Sequence, residues 1–506
     1  MIKEIQYIPE PALLFGHDQR LEDPRDGLSL FGPIDKGKPD GIRTGVIGTP
    51  QGIKRFKSWV EKIQGPVFAK KPSTARPFFP GFEAVFKTNW KPTPGIAIEI
   101  PEEEINKCIY IKESHQRVFE TVTLFSEKII KALQQEETIV DIWFVIIPDD
   151  VYKYCRPQSK VESNLSIKSK SVISLKSIRK FLASPSLFND MNNETIPFQY
   201  DVNFHNQLKA RLLKYSVSTQ IIRESTLAFN EVTNAGGRPT RNLENLQSSI
   251  AWALSTAVFY KVGGRPWKLG DIRSGVCYLG LVFKNDDKGK DPRTACCAAQ
   301  MFLDSGDGVV FKGAVGPWYS PTKGDYHLSK EAANQLITLA LESFKNSTGN
   351  YPKELFIHGK VRFSDDEWEG FKSATTGVTN LVGVRIQPRV NDLKLFRLDR
   401  NPILRGMVYR KNDYSAYLWT KGYIPRLRTY PGREVPQPIF IDVCRGDAPL
   451  EVVLRDILAL TKLNYNACQF ADGVPVTLKF ADAVGEILTA GPLDDKQPPL
   501  PFRYYI

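Results

Sequence analysis

A ring, an amide and two ammonium groups fall in a fixed order near the middle of this 506-residue chain. His205 and Lys209 are four residues apart in a segment whose apolar spacing (Leu208, Leu212, Leu213) is helical, so their side chains share one helix face. Gln220 comes eleven residues later, after Val217-Ser218-Thr219, where helix gives way to an extended run. An amide there can offer its carbonyl to a metal ion or its NH2 to a phosphate oxygen. Lys261 precedes Val262-Gly263-Gly264, and paired glycines let a backbone approach a ligand or another element, or simply turn. Together the four side chains supply what a terminal phosphate and its attached nucleotide need: two cations, a polar amide and a ring on which a base can stack.

The frame around these residues is that of a large α/β protein. A chain of this length accommodates roughly three folding units of ~150 residues, or two larger lobes. The 68 Lys and Arg outnumber the 56 Asp and Glu, for a formal charge of +12, which favours a polyanionic partner. The seven cysteines form no C-x-x-C pair and no histidine is spaced to complete a zinc site, so reduced thiols in a cytoplasm are expected. The N-terminal MIKEIQYIPEPALLFG is too short in its apolar run for a signal peptide, and no stretch reaches ~18 apolar residues, so no membrane segment is expected.

Gly41 to Thr49 reads as a buried strand and Gln51 to Ile63 as the amphipathic helix after it. Arg117 to Gln134 reads as a helix leading into Thr138 to Pro148, an apolar run suited to a central parallel strand. Between Arg156 and Asn189 the composition shifts to Ser and Lys, a basic insertion that is either a solvated loop or a contact to nucleic-acid backbone. Beyond Trp267 a second α/β lobe begins, with strands at Val276 to Lys284 and Glu354 to Phe363 and a helix that includes Lys330 to Lys345.

The order His205, Lys209, Gln220, Lys261 resembles the 5′-phosphate pocket in the MID domain of Argonaute proteins, although long members often carry Tyr at the His205 position. The second lobe resembles their PIWI domain, of ribonuclease-H fold; Ala459 to Leu488 is its strongest segment, and Leu381 to Pro388, Ala416 to Pro425 and the N-terminal LLFGHDQRLEDPRDGLSLFGP support it. The fold expected is therefore a Rossmann-like MID domain, with an N-terminal segment, over residues 1–265, and a ribonuclease-H-like PIWI domain over 266–506. By this resemblance an active PIWI domain has an aspartate where this chain has Val282, and another where it has Lys360; Asp482 retains a carboxylate. Two-metal phosphodiester hydrolysis needs several carboxylates around ions ~3.5–4 Å apart, so no target cleavage is expected. Asp482 alone reads as structural, and Lys360 either as a strand-end surface lysine or as a partner for a backbone phosphate. Asp365, Asp366 and Glu367 read as the acidic start of a helix.

Over the whole chain the resemblance is to short prokaryotic Argonautes, the guide-binding subunits of TIR-APAZ type defence systems. It implies a 5′-phosphorylated guide, RNA favoured, paired with complementary single-stranded DNA in a basic channel, where pairing reads the sequence and the protein reads shape. It also implies a Mg²⁺ ion at the guide phosphate, with Gln220 and the Ile506 carboxylate as candidate ligands; the alternative for the tail is a strand packed on the sheet. The partner implied is an APAZ-containing effector, a TIR NADase that depletes NAD⁺ being favoured over a sirtuin-like protein or a nuclease, with higher-order assembly on activation. Two rival readings are an active guide-directed nuclease and a basic nucleic-acid-binding protein that uses no guide.

Overall fold

The structure is a computed structural model that describes residues 5–135, 139–168, 175–184, 186–234, 236–285, 295–303, 308–316, 318–320, 324–375, 377, 379–388, 393–492 and 500–506. Its first described strand, β1 (Ile5–Tyr7), does not join the lobe that follows it in sequence. That lobe starts at β2 (Thr44–Gly48), all five residues of which are buried, and continues into α1 (Pro50–Lys62). Thr49 ends the strand and caps the helix, its hydroxyl accepting the Gly52 N–H at 2.8 Å, while Pro50 occupies the first turn, where a missing N–H costs nothing. Then come β3 (Ile96–Glu99), α2 (Ser114–Gln135), β4 (Ile142–Ile147), α3 (Phe204–Leu213), β5 (Thr219–Arg223) and α4 (Gln247–Lys261). The four strands lie in the order β3-β2-β4-β5, all parallel. β4 is interior and buried along all six residues, as its unbroken apolar run requires. This is the Rossmann-like lobe expected from the sequence.

The second lobe is built on a ten-stranded sheet. An antiparallel set, β6 (Val276–Asn285), β7 (Ala295–Leu303) and β8 (Gly308–Gly316), precedes α5 (Lys330–Thr348), β9 (Glu354–Gly359), α6 (Asp365–Thr375) and β10 (Asn380–Gln387). The remaining strands are β11 (Met407–Arg410), β12 (Ser415–Leu418), β13 (Ile439–Arg445) and β14 (Leu500–Pro501), with α7 (Leu450–Leu460) and α8 (Ala481–Leu488) between the last two. The order is β1-β11-β12-β13-β10-β9-β6-β7-β8-β14, with β9 parallel to both β6 and β10. Three antiparallel strands followed by parallel additions are the expected ribonuclease-H-like arrangement.

Three features were not legible as domains in the sequence. β1 pairs with β11, and Leu13–Leu14 pairs with Lys268–Leu269, so part of the segment assigned to the first lobe is built into the second. Glu10 fixes this crossing: its carboxylate, 9% exposed, meets the buried Arg405 at 2.9 Å and the buried Lys462 at 2.8 Å. The basic insertion is also more than a loop, since Leu175–Ala183 and Asn189–Asn193 are helical; residues 169–174 and 185 lie outside the described residues. Its root is tied down by Arg117, whose guanidinium donates to the carbonyls of Tyr154 at 2.9 Å and Ser159 at 3.1 Å. Finally, one apolar core runs through both lobes, from Val46 and Phe144 to Val384 and Ile457. Among the described residues no helix is long and apolar enough to cross a membrane.

Candidate functional site

The four residues picked out by order converge where the lobes meet. Asn203 caps α3 by accepting the His205 N–H at 3.1 Å, which sets the helix so that Lys209, one turn on, points inward. Lys209 is 2% exposed, and its ammonium donates to the main-chain oxygen of Ile506 at 2.6 Å, with Thr219 O at 3.4 Å. Lys261 ends α4, is also 2% exposed, and donates to Thr219 O at 3.0 Å and to Gln220 Oε1 at 2.7 Å. Two ammonium groups from different helices thus share one carbonyl at the start of β5. Ser218 braces the second helix, its hydroxyl donating to Lys261 O at 3.0 Å.

This arrangement is electrostatically unfinished. Neither lysine makes an ion pair with an Asp or Glu side chain among the described residues; only neutral oxygens and the chain-terminal residue face them. Burial pulls the Lys209 pKa down to about 7, and burial followed by repulsion from Lys209 holds Lys261 well below the ordinary lysine range. Two desolvated cations side by side call for an anion, and a phosphate is compact and multiply charged enough to meet both. His205 stands at the rim with its side chain exposed, and its Nδ1 lies 3.1 Å from Asn206 Oδ1. Crowding by the surrounding protein and then the positive Lys209 push its pKa down to about 4. The ring is therefore neutral across the physiological range, and the pH dependence of stacking expected from a histidine moves to acid pH.

Mg²⁺ fits this pocket only in company with phosphate. Gln220 Oε1 and Ile506 O are both present, and each keeps a lone pair beyond the one its lysine uses. No group of three His, Cys, Asp or Glu able to hold a metal occurs among the described residues, so the remaining ligands would have to be phosphate oxygens and water. The Gly263-Gly264 pair has a different role from ligand approach. Gly263 takes φ +100°, and the Gly264 N–H donates to Phe259 O at 3.0 Å, ending α4; a Cβ on Gly264 would meet the Phe259 ring at 2.5 Å.

Sequence order gave no signal for Thr219 O, because a main-chain carbonyl has no side-chain signature. Nor did it find Asn206, whose amide donates to Glu486 Oε2 at 3.4 Å and so links the pocket helix to α8.

Val282, Lys360 and Asp482, singled out in the second lobe, also come together. Val282 on β6 is 4% exposed, and a cavity of about 150 Å³ is lined by Val282, Phe283, Tyr326, Lys360 and Phe363. Lys360, just past β9, donates to both carboxylate oxygens of Asp482 at 2.8 Å. The Asp482 carboxylate is thus occupied by Lys360. His358, one strand position before Gly359, is 1% exposed, bonded to Thr477 Oγ1 at 2.9 Å, and kept neutral by burial, with a pKa of about 3. Asp365 and Asp366 open α6 as expected. Glu367 is buried and serves structure, accepting from Leu328 N at 2.8 Å and Ser364 N at 2.9 Å.

The fold is that of Argonaute-like proteins. The chain is 24% identical over 289 residues, 56% of its length and 36% of the relative's, to the curated protein argonaute of Aquifex aeolicus (strain VF5). Clostridium butyricum Argonaute bound to a guide DNA (5′ deoxycytidine) and a 19-mer target DNA superposes with a TM-score of 0.64 at 15% identity, over 99% of this chain and 55% of that one. A. aeolicus Argonaute with externally bound siRNA (TM-score 0.55, 15% identity) and Drosophila Piwi (TM-score 0.55, 11% identity) each match over 99% of this chain and 56% of theirs. No protein-family model matches the chain. These likenesses give an Argonaute-like mixed α/β fold consistent with a MID lobe followed by a PIWI lobe. The chain spans about half the length of the solved Argonautes it matches.

Proposed function

We propose that this chain is a guide-binding nucleic-acid sensor that does not cut its target. The observation that carries the reading is the pair of buried lysines, Lys209 and Lys261, sharing Thr219 O without a carboxylate side chain. The 5′ phosphate of a guide, RNA favoured, adds the negative charge by which the single Ile506 terminus falls short of the two lysines, Gln220 orients it, and His205 stacks on the first base. Mg²⁺ held by Gln220 and Ile506 would add positive charge against the phosphate oxygens. A complementary single-stranded DNA pairs with the guide, and the family relation suggests that pairing activates an APAZ-containing effector, a TIR NADase being favoured, in prokaryotic immunity.

Absence of cleavage is supported by the chemistry at the PIWI positions. A buried valine offers no ligand to a metal, and Lys360 brings a fixed positive charge and engages Asp482. The test is binding of matched RNA and DNA strands with and without a 5′ phosphate in Mg²⁺, with a complementary strand present to report cutting. Preference for the phosphorylated strand without cutting supports the sensor. Indifference to the phosphate would leave a guide-independent binder, and Mg²⁺-dependent cutting would make the chain a nuclease.

A further inference from the structure

A second set of rings lies far along the PIWI sheet from the pocket. Four strands bring one side chain each into register: Ile5 of β1 faces Tyr409 of β11, Tyr409 faces Tyr417 of β12, and Tyr417 faces Phe440 of β13. Because side chains alternate across a strand, these residues project from one face of the sheet. Their neighbours in sequence, Val408, Ala416 and Ile441, project from the other and are fully buried in the core. Ring centroids are 6.1 Å apart from Tyr409 to Tyr417 and 5.0 Å from Tyr417 to Phe440. Ile5 is 55% exposed, and both tyrosines are half-buried. Phe440, 8% exposed beneath Arg385 and Lys411, closes the inner end of the row, and the two tyrosines carry its open faces on the side away from the core.

The row is framed by cations. The Arg385 guanidinium and the Lys411 ammonium each sit 5.6 Å from the Phe440 ring centroid. Arg362, whose side chain is 65% exposed, joins Arg385 over Asp442, at 2.8 Å and 3.4 Å. Asp442 is the one carboxylate in this set and lies buried beneath the two arginines, so three cations outnumber it. Rings in a row on one sheet face, tilted by 33° and 53° from one to the next and bordered by Arg and Lys, suit the stacking of successive bases while the backbone is held electrostatically. An apolar protein segment would use the rings but would gain nothing from the excess positive charge.

We propose that the Tyr409–Tyr417–Phe440 row, with Arg385 and Lys411, is a platform for single-stranded nucleic acid that acts independently of the 5′-phosphate pocket. Bases lie against the two tyrosines, and phosphates pass over the cations. No sequence is read, because every base presents a π face.

The test uses the full chain and a 20-nucleotide oligothymidine carrying a 5′ hydroxyl, which removes the phosphate that the pocket would take. Binding is followed by fluorescence anisotropy for the wild type, Tyr409→Ala with Tyr417→Ala, Tyr409→Phe with Tyr417→Phe, and Lys209→Met with Lys261→Met. The alanine pair is expected to weaken binding roughly tenfold or more, from two lost stacking contacts. The phenylalanine pair should bind as the wild type does. Wild-type affinity in the alanine pair, or no binding of the 5′-hydroxyl strand at all, overturns the platform, the latter being the result if a protein partner covers this face instead. Should the alanine pair fail to fold, photocrosslinking of a 4-thiothymidine version to the wild type decides: adducts on Tyr409 or Tyr417 support the platform, and adducts confined to other residues overturn it. Failure of the 5′-phosphate pocket shows separately, as indifference to a 5′ phosphate in the lysine pair and the wild type alike.

Discussion

Raising the pH should loosen a 5′-phosphorylated strand and leave a 5′-hydroxyl strand almost untouched. Burial lowers Lys209 from 10.5 to about 7. At ~1.4 kcal/mol for each pH unit, keeping that ammonium charged in its buried site costs about 5 kcal/mol. A phosphate removes this cost, so the bound lysine returns toward its ordinary pKa and binding above pH 7 takes up a proton. Affinity then falls about tenfold per pH unit, or ~100-fold from pH 7 to pH 9, for one proton. Lys261, also held low, makes the slope steeper if it too is neutral in the empty pocket. On the acid side the phosphate gains a proton near pH ~6 and the attraction weakens again, so the optimum lies near neutrality. Anisotropy across pH 7 to 9 gives the slope, and calorimetry in two buffers of different ionisation enthalpy counts the protons. Equal slopes for the two strands, or no proton uptake, would refute the claim that these lysines await an anion.

The same cost has a consequence for the empty protein. Between pH 7 and about 10.5 the unfolded chain keeps a Lys209 proton that the folded chain has shed, so stability from this group rises with pH over that window. Lys209→Met should accordingly raise or preserve the Tm without ligand while weakening a phosphorylated strand by roughly 10- to 100-fold, the loss of one charge-assisted contact; a Tm several degrees lower would contradict it. His205→Phe should retain first-base affinity and show the same pH profile as the wild type between pH 5 and 8, because the native ring is already neutral there; a step in the wild type that the Phe variant lacks would show otherwise. Val282→Asp should lower the Tm, since a carboxylate in a site 4% exposed costs a few kcal/mol without a partner, and Lys360→Ala should shift stability by no more than ~1 kcal/mol because its pair with Asp482 is exposed. Glu10→Gln leaves Arg405 and Lys462 buried and uncompensated, and an unfolding free energy lower by about 3–5 kcal/mol is expected from denaturant titration.

Local chemistry alone determined a good deal of this protein. The apolar run before Pro148 could only be a strand covered on both faces, and β4 is that strand. The spacing of Leu208, Leu212 and Leu213 set the helix that places His205 and Lys209 on one side. Side-chain type fixed which groups could meet a phosphate, and Val282 and Lys360 were visible as residues that cannot ligate a metal. Such features are short-range: they follow from periodicity and from what each side chain can donate, accept or carry.

What the tertiary structure decided is where distant groups meet and what charge they then hold. Lys261 and Lys209 lie 52 residues apart and share Thr219 O only because α3, α4 and β5 pack together. Ile506 reaches the same pocket from the far end of the chain, and Lys360 finds Asp482 across 122 residues. β1 left its sequence neighbours for the edge of the second sheet because pairing with β11 satisfies its backbone there. Burial, which no single residue carries in its name, lowered the pKa of two ordinary lysines, and the protein crowded about the rim, with Lys209 beside it, lowered that of His205.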